Sequence, residues 1–189
     1  VFDGTKEGAY VETDIPNPMG VYGKSKLQGE VDIQKTLKEH FIVRTAWLYG
    51  IHGNNFVDTM LRLFKERDEV RVVGDQYGSP TYAPDLAAAI LKIVNLNTDA
   101  YGAYHFTNEG KISWHDFACE IHGIAQERKL LAKEVRIQRI FTEDYPTKAQ
   151  RPKNSFLSKD KIINTFNISI RKWETGLAEF MLTSIPGTK

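Results

Sequence analysis

A run of β-branched and aromatic side chains from Phe41 to Tyr49, placed directly after a helical segment, constrains the fold most. Residues 22–39 carry apolar side chains at the spacing of one helical face, and this pattern ends near His40. The run that follows shows little alternation of polar and apolar residues, which is typical of a strand buried on both faces in a parallel sheet. We therefore expect one strand over 41–49 and an α/β fold.

The remainder of the chain continues to alternate between helical and extended patterns. Short β-branched segments predict strands, and apolar side chains at helical spacing predict helices, several of them preceded by a capping side chain. We predict three capped helices: Phe56 to Phe64 with Asn54 or Asn55 as the cap, 86–94 with Asp85, and 114–126 with Ser113. Two further helices are predicted over 159–165 and 171–182. Strands are predicted over 70–73, 104–108 and 135–140, and loops over 74–80 and 142–154. This order favours a doubly wound α/β architecture.

Composition excludes several classes of function. Lysine and arginine number 25 and aspartate and glutamate 24, so the chain has no broad basic field and we expect no nucleic-acid partner. No apolar run approaches the length of a membrane span, and we expect no membrane association. The single cysteine, Cys119, excludes an internal disulfide and lies in an apolar helical pattern, where a thiol is more often part of the core. A reducing, cytoplasmic location fits.

The segment Tyr22-Gly23-Lys24-Ser25-Lys26 contains a candidate catalytic pair. In a helix that begins near Val21, Tyr22 and Lys26 lie four residues apart, on one face and roughly 6 Å from each other. An ordinary tyrosine has a pKa of about 10, so a phenol exchanges protons readily at neutral pH only where a nearby cation stabilises the phenolate. Lys26 can supply that cation, whereas Lys24 points elsewhere. A solvated first turn, with the lysine stem over the ring, is the alternative.

Five further blocks follow in a fixed order. They are Arg44-Thr45-Ala46-Trp47-Leu48-Tyr49-Gly50, Gly53-Asn54-Asn55-Phe56, Asp75-Gln76-Tyr77-Gly78-Ser79-Pro80-Thr81, Trp114-His115-Asp116-Phe117 and Arg151-Pro152-Lys153-Asn154-Ser155. Together with the Tyr22 segment, they resemble the extended short-chain dehydrogenase/reductase superfamily, and more closely the dTDP-4-dehydrorhamnose reductases. Several blocks in one order are more specific than any one of them.

The resemblance implies the C-terminal two-thirds of such a reductase. Residues 1–75 would form the C-terminal part of a doubly wound, Rossmann-like NAD(P)-binding domain with the catalytic helix. Residues 76–189 would be mostly a small α/β substrate-binding domain, with elements that return to the Rossmann sheet. The implied reaction is reduction of dTDP-4-dehydro-L-rhamnose by NADPH or NADH. Tyr22 would be the general acid and Lys26 would assist it, and both would bind the cofactor. Mg²⁺ and a homodimer also fit the family.

The same resemblance implies four substrate-binding residues. Trp47 would contact the sugar, although a core tryptophan beneath the sheet is the alternative. Asn55 would contact the diphosphate, cap a helix or do both, since a helix N-terminus attracts phosphate. Arg151 would bind the diphosphate through its guanidinium fork, or it is an ordinary surface arginine. Gln76 lies in a loop that borders the substrate in the family.

One element of a dinucleotide site does not occur in these 189 residues: there is no Gly-x-x-Gly-x-x-Gly turn. In the family this turn and the catalytic threonine or serine precede the segment that begins here at Val1. We therefore expect the chain alone to be an inactive fragment that does not bind NADPH tightly. Tyr22 and Lys26 leave two alternatives open. One is a short-chain sugar-nucleotide epimerase or dehydratase, and the other is a non-catalytic subunit like the regulatory β subunit of methionine adenosyltransferase.

Overall fold

The structure is a computed structural model that describes residues 1–145, 147 and 151–183. Its helices are α1 (Val21–Thr36), α2 (Phe56–Glu66), α3 (Ala83–Asn95), α4 (Trp114–Glu127), α5 (Asp160–Phe166) and α6 (Trp173–Thr183). Its strands are β1 (Phe41–Arg44), β2 (Leu48–Tyr49), β3 (Glu69–Val73), β4 (Tyr77–Gly78), β5 (Thr81–Tyr82), β6 (Gly102–His105), β7 (Ile112–Ser113) and β8 (Arg136–Ile140), and a 3-10 turn spans Thr142–Asp144. The predicted α/β class is confirmed.

The described strands form four pairs. β1 with β6, β2 with β5, and β3 with β8 run parallel, whereas β4 and β7 run antiparallel. Arg44 at the end of β1 lies opposite His105 at the end of β6. Within the part of the chain that the structure describes, β1 pairs with β6 alone, so its second edge carries no strand there.

The prediction of one continuous strand over 41–49 is wrong, because the chain breaks between β1 and β2. At the break Trp47 adopts a φ of 50°, a left-handed conformation that is rare for a bulky side chain. The Trp47 carbonyl accepts a hydrogen bond from the Thr81 backbone N–H at 3.1 Å, and the Thr81 hydroxyl donates to the Ala46 carbonyl at 2.7 Å. β5 thus holds the left-handed backbone at Trp47 in place, which a hydrophobic pattern cannot reveal.

Two apolar clusters form the core. The first lies between α2, α4, α6 and the adjoining strands, around the buried rings of Phe64, Phe117 and Phe180. The second lies between α3, α5 and β6, around Tyr104 and Phe166. α1 contributes no side chain to either cluster. The predicted domain boundary near residue 75 stays a prediction.

Two local expectations are corrected. Asp85 does not cap α3, whose N-cap is Tyr82; the carboxylate instead pairs with Arg171 at 2.8 Å. Cys119 is exposed on α4 rather than part of the core, with its sulfur 3.7 Å from Nδ1 of His115.

The apolar helix α3 packs against the rest of the protein on one side only. α3 buries Ala89 and Ile93 but leaves Leu91 and Val94 exposed, so only one side of this apolar helix packs. Residues 146 and 148–150 of the predicted 142–154 loop lie outside the described residues. Among the described helices, none combines the length and apolar character that crossing a membrane requires.

Candidate active site

α1 presents Tyr22 and Lys26 together on an exposed surface. The helix begins at Val21, after the extended Gly20. Tyr22 is 77% exposed, and Nζ of Lys26 lies 5.5 Å from the centroid of its ring. Within the described residues neither side chain has another hydrogen bond, ion pair or ring contact. The two side chains are therefore neighbours on an exposed first turn, which fits both the predicted pair and its alternative, and both polar groups are open to a ligand.

A buttressed turn precedes this pair. Asn17 donates from its side chain to the Asp3 carboxylate at 2.9 Å and from its backbone to the Val1 carbonyl at 3.0 Å. The Thr5 backbone N–H, the Asn17 amide, and the Thr5 and Tyr10 hydroxyls all donate to Asp3 and hold the pKa of its carboxyl well below the usual range. The resulting anion fixes the direction from which the chain enters α1.

Trp47 forms an aromatic wall with Trp114. The two indoles stack with centroids 3.5 Å apart and planes 9° apart. Gly78 touches the Trp47 indole, since a Cβ atom on Gly78 would lie 2.8 Å from its Cε2 and Nε1 and 2.5 Å from Oγ of Ser155. Trp47 is half-buried, and its indole N–H has no hydrogen-bond partner among the described residues. This N–H can donate to a ligand.

Asn55 caps α2. Its side-chain oxygen accepts from the Asp58 backbone N–H at 3.1 Å, and its amide donates to the Gly50 carbonyl at 2.9 Å and to the Asp58 carboxylate. The capping role that the sequence allowed is therefore present. The diphosphate contact stays a prediction, in which the N-terminus of α2 would supply the attraction.

Gln76 is buried rather than presented at a surface. Its side-chain amide donates to the Thr142 hydroxyl at 3.1 Å, and the neighbouring Asp75 accepts from the backbone N–H and the hydroxyl of Thr142. Gln76 thus braces the loop that follows β8. A direct contact between Gln76 and a substrate stays a prediction.

Arg151 is exposed, at the start of a segment that is fixed on both sides. On one side, Pro152 lies against Gly4, where a Cβ atom would come within 2.5 Å of the proline Cβ. On the other side, the Tyr77 N–H donates to the Lys153 carbonyl, and the Ser155 N–H donates to the Tyr77 carbonyl, both at 2.8 Å. The segment that begins at Arg151 therefore runs between the N-terminal residues that support the α1 turn and the β4 residues that support Trp47.

The predicted site residues thus differ in exposure. Tyr22, Lys26 and Arg151 are exposed, Trp47 and Asn55 are half-buried, and Gln76 is buried. No group of three or more His, Cys, Asp and Glu residues that could hold a metal ion occurs in the ranges described.

Trp114 is not among the predicted site residues, yet it stacks on Trp47. It begins α4 directly after Ser113, which forms a capping box with Asp116. The cap signal placed the helix correctly. The stacking of Trp114 on Trp47 joins residues 67 positions apart in the chain, and no local sequence pattern could show it.

Comparisons with known proteins decide the family. The RmlD substrate binding domain model matches residues 1–184. The chain belongs to this family. A dTDP-4-dehydrorhamnose reductase from Aggregatibacter actinomycetemcomitans is 47% identical over 181 residues, which cover 94% of the chain and 62% of the relative. The Salmonella typhimurium dTDP-4-dehydrorhamnose reductase is 38% identical over 188 residues, 98% of the chain and 62% of the relative. This RmlD-family chain therefore spans about 60% of the length of these curated relatives.

Solved structures agree with this assignment. The dTDP-4-dehydrorhamnose reductase of Bacillus anthracis, in complex with NADP, matches with a TM-score of 0.87 and 42% identity over 96% of the chain and 62% of that structure. The Clostridium acetobutylicum dTDP-4-dehydrorhamnose reductase matches with a TM-score of 0.87 and 40% identity over 96% of the chain and 61% of that structure. The Rossmann-like fold is thereby confirmed. The UDP-glucuronic acid 4-epimerase of Bacillus cereus, at 19% identity and a TM-score of 0.76, shares the fold alone.

Proposed function

We propose that this RmlD-family chain supplies the proton donor and the sugar-nucleotide site for NADPH-dependent reduction of dTDP-4-dehydro-L-rhamnose to dTDP-L-rhamnose. The observation that carries the proposal is the exposed pair of Tyr22 and Lys26, with the ammonium 5.5 Å from the ring centroid. Relatives named dTDP-4-dehydrorhamnose reductase, one of them crystallised with NADP, support the choice of reaction and cofactor.

In this reaction NADPH supplies a hydride to the ketone carbon. The Tyr22 hydroxyl donates a proton to the ketone oxygen as negative charge develops there, and solvent then returns a proton to the phenolate. Lys26 stabilises the phenolate, because its ammonium lies beside the ring. The exposure of both groups fits a nicotinamide ribose, to whose hydroxyls Lys26 would donate hydrogen bonds.

The remaining predicted residues would hold the sugar nucleotide. Trp47 offers a ring and an indole N–H to the sugar, and Trp114 supports the ring from behind. Arg151 offers a bidentate cation to the diphosphate, together with the N-terminus of α2 that Asn55 caps. Gln76 would act by bracing the loop at Thr142 beside the site.

Other parts of the proposal follow from the family. The 189-residue chain alone would be inactive, and a homodimer and a cytoplasmic location would fit its relatives. The described residues provide no carboxylate cluster suited to Mg²⁺, and no step is assigned to a metal ion.

A chimera tests the proposed function. The N-terminal part of the Bacillus anthracis reductase that this chain does not match is joined to Val1, and NADPH oxidation is followed at 340 nm. We expect turnover with dTDP-4-dehydro-L-rhamnose and none with UDP-glucuronic acid. A folded chimera that binds NADPH but does not turn over the 4-keto sugar would contradict the proposal and favour the non-catalytic subunit.

A further inference from the structure

A buried ion pair joins α1 to the end of β1. Glu30 is the one buried residue of this helix, which has no side chain in either apolar cluster. The guanidinium of Arg44 donates to the Glu30 carboxylate three times, from Nη2 at 2.6 Å and from Nε at 3.0 and 3.1 Å. Both side chains are about nine-tenths buried. A directional guanidinium–carboxylate fork thus fastens the middle of α1 to β1.

The position of this ion pair relates it to the proposed catalytic pair. Tyr22, Lys26 and Glu30 are spaced four residues apart, so they lie along one side of α1. At 1.5 Å per residue, Glu30 lies about 6 Å along the axis from Lys26 and about 12 Å from Tyr22. Arg44 is the last residue of β1, three positions before Trp47. The ion pair therefore connects α1, which contains the proposed proton donor, to the end of β1, which leads to the aromatic wall.

Arg44 is itself held on its far side. Its Nη1 lies 3.5 Å from Nε2 of His105, and its guanidinium lies 5.3 Å from the ring centroid of Phe2. His105 is fully buried, and its Nδ1 lies 3.2 Å from the Tyr10 carbonyl. Because a carbonyl only accepts, the contact with Tyr10 favours a proton on Nδ1, and Nε2 then faces the Arg44 guanidinium. Burial, and then the charge of Arg44, lower the pKa of His105 to about 4, which keeps the imidazole neutral at pH 7.

We propose that Glu30 is a positioning residue for the reduction: its fork with Arg44 fixes the rotation and height of α1, and thereby the place of the Tyr22 hydroxyl relative to the ketone. The proposal rests on the proposed function. A guanidinium–carboxylate fork fixes direction as well as distance, which a single point charge does not. Misplacing a reacting group by about 1 Å costs on the order of 10²-fold in rate.

Two variants and a control test this role in the chimera. Glu30→Gln removes one charge and leaves Arg44 buried and unpaired, which can prevent folding. The double variant Glu30→Gln with Arg44→Met removes both charges at similar volume and should fold. Asp32→Asn is the control, because Asp32 is exposed on the same helix and its carboxylate accepts only from Gln28 among the described residues.

We expect kcat to fall by about 10- to 100-fold in the double variant, while KM for the sugar nucleotide changes by less than about twofold. Asp32→Asn should match the parent chimera. A purely structural role would lower the yield of folded protein and leave kcat per folded molecule unchanged. A double variant that folds and retains the parent kcat would overturn the proposal.

Amide hydrogen exchange on the 189-residue chain separates this proposal from the proposed function. In the double variant, α1 amides should exchange about tenfold faster than in the parent, whereas α4 amides should be unaffected. If the parent chimera has no activity, the proposed function fails, and the exchange experiment alone tests whether the Glu30–Arg44 ion pair holds α1 in place. Unchanged exchange of the α1 amides in the double variant would overturn that role of the ion pair in either case.

Discussion

Trp47 and Trp114 stack with their indole planes 9° apart, and Gly78 lies against the Trp47 ring. The arrangement combines a left-handed backbone at Trp47 with a glycine that leaves no room for a methyl group. Sparsely populated backbone conformations persist only where neighbouring structure determines them, and they cluster at functional sites. The aromatic wall is therefore expected to respond to single-atom changes.

Gly78→Ala should destabilise the fold by about 1–3 kcal/mol, because the new methyl group would meet both Ser155 and the Trp47 indole. Gly29→Ala is the matched control: Gly29 lies inside α1, and an added Cβ meets nothing within 4 Å. That change should stabilise the chain by about 0.5–1 kcal/mol. Urea unfolding followed by tryptophan fluorescence measures both, and equal values for the two variants would contradict the packing described.

Stability should fall as the pH is lowered from 6.5 to 4, because the pKa of buried His105 is about 4 in the folded chain and 6.5 when unfolded. In this interval the unfolded state binds a proton that the folded state does not, which favours unfolding. The difference between the two pKa values corresponds to about 3 kcal/mol, present above pH 6.5 and progressively lost on acidification.

Unfolding in urea at pH 7 and pH 4.5 would measure this loss, and the imidazole NMR signal of His105 would report its midpoint directly. His52→Gln is the control, since His52 is exposed. The control should retain the slope of stability against pH. A His105 signal that titrates near 6.5 would refute the assignment.

Asp85→Ala should cost about 1–3 kcal/mol. The Asp85 carboxylate pairs with Arg171 and accepts from the Asn108 side chain at 2.7 Å, so its loss deprives Asn108 of its shorter hydrogen bond and leaves Arg171 paired with Glu179 alone. Glu66→Ala offers a comparison, because the Arg62–Glu66 pair is exposed on α2 and should contribute about 0–0.5 kcal/mol. Thermal unfolding compares the two. Similar effects would show that Asp85 does not link α3 to the segment before α6.

The 189-residue chain alone should not bind NADPH with micromolar affinity, because it contains no glycine-rich turn to hold the pyrophosphate. The chimera described above should restore binding. Calorimetric titration of both proteins with NADPH makes the comparison. Micromolar affinity for the chain alone would mean that Tyr22, Lys26 and their neighbours suffice.

Local patterns predicted much of the fold, because caps and apolar spacing act over a few residues. Ser113 marked the start of α4, and the prediction of β8 from alternating residues was correct to within one position. The same patterns failed at Trp47, where the apolar run continues but the strand is interrupted by a left-handed residue that is held by hydrogen bonds to Thr81. They also failed at Cys119, since apolar spacing does not say which side of a helix faces solvent.

The candidate site was predictable only where its residues are close in sequence. Tyr22 and Lys26 are four residues apart, so helical geometry alone predicts their contact. The Glu30–Arg44 pair and the Trp47–Trp114 stack join different elements. Such contacts follow from the tertiary fold and leave no periodic signal in the sequence.

In the proposed reduction of a 4-keto sugar nucleotide, Tyr22 donates the proton and Lys26 assists it. The most direct measurement is kcat of the chimera with Tyr22→Phe. We expect a fall of about 10²- to 10⁴-fold with NADPH binding retained, a fall of similar kind for Lys26→Met, and no change for Lys24→Met, which alters a lysine on another side of the helix. A Tyr22→Phe chimera with the kcat of its parent would contradict the account.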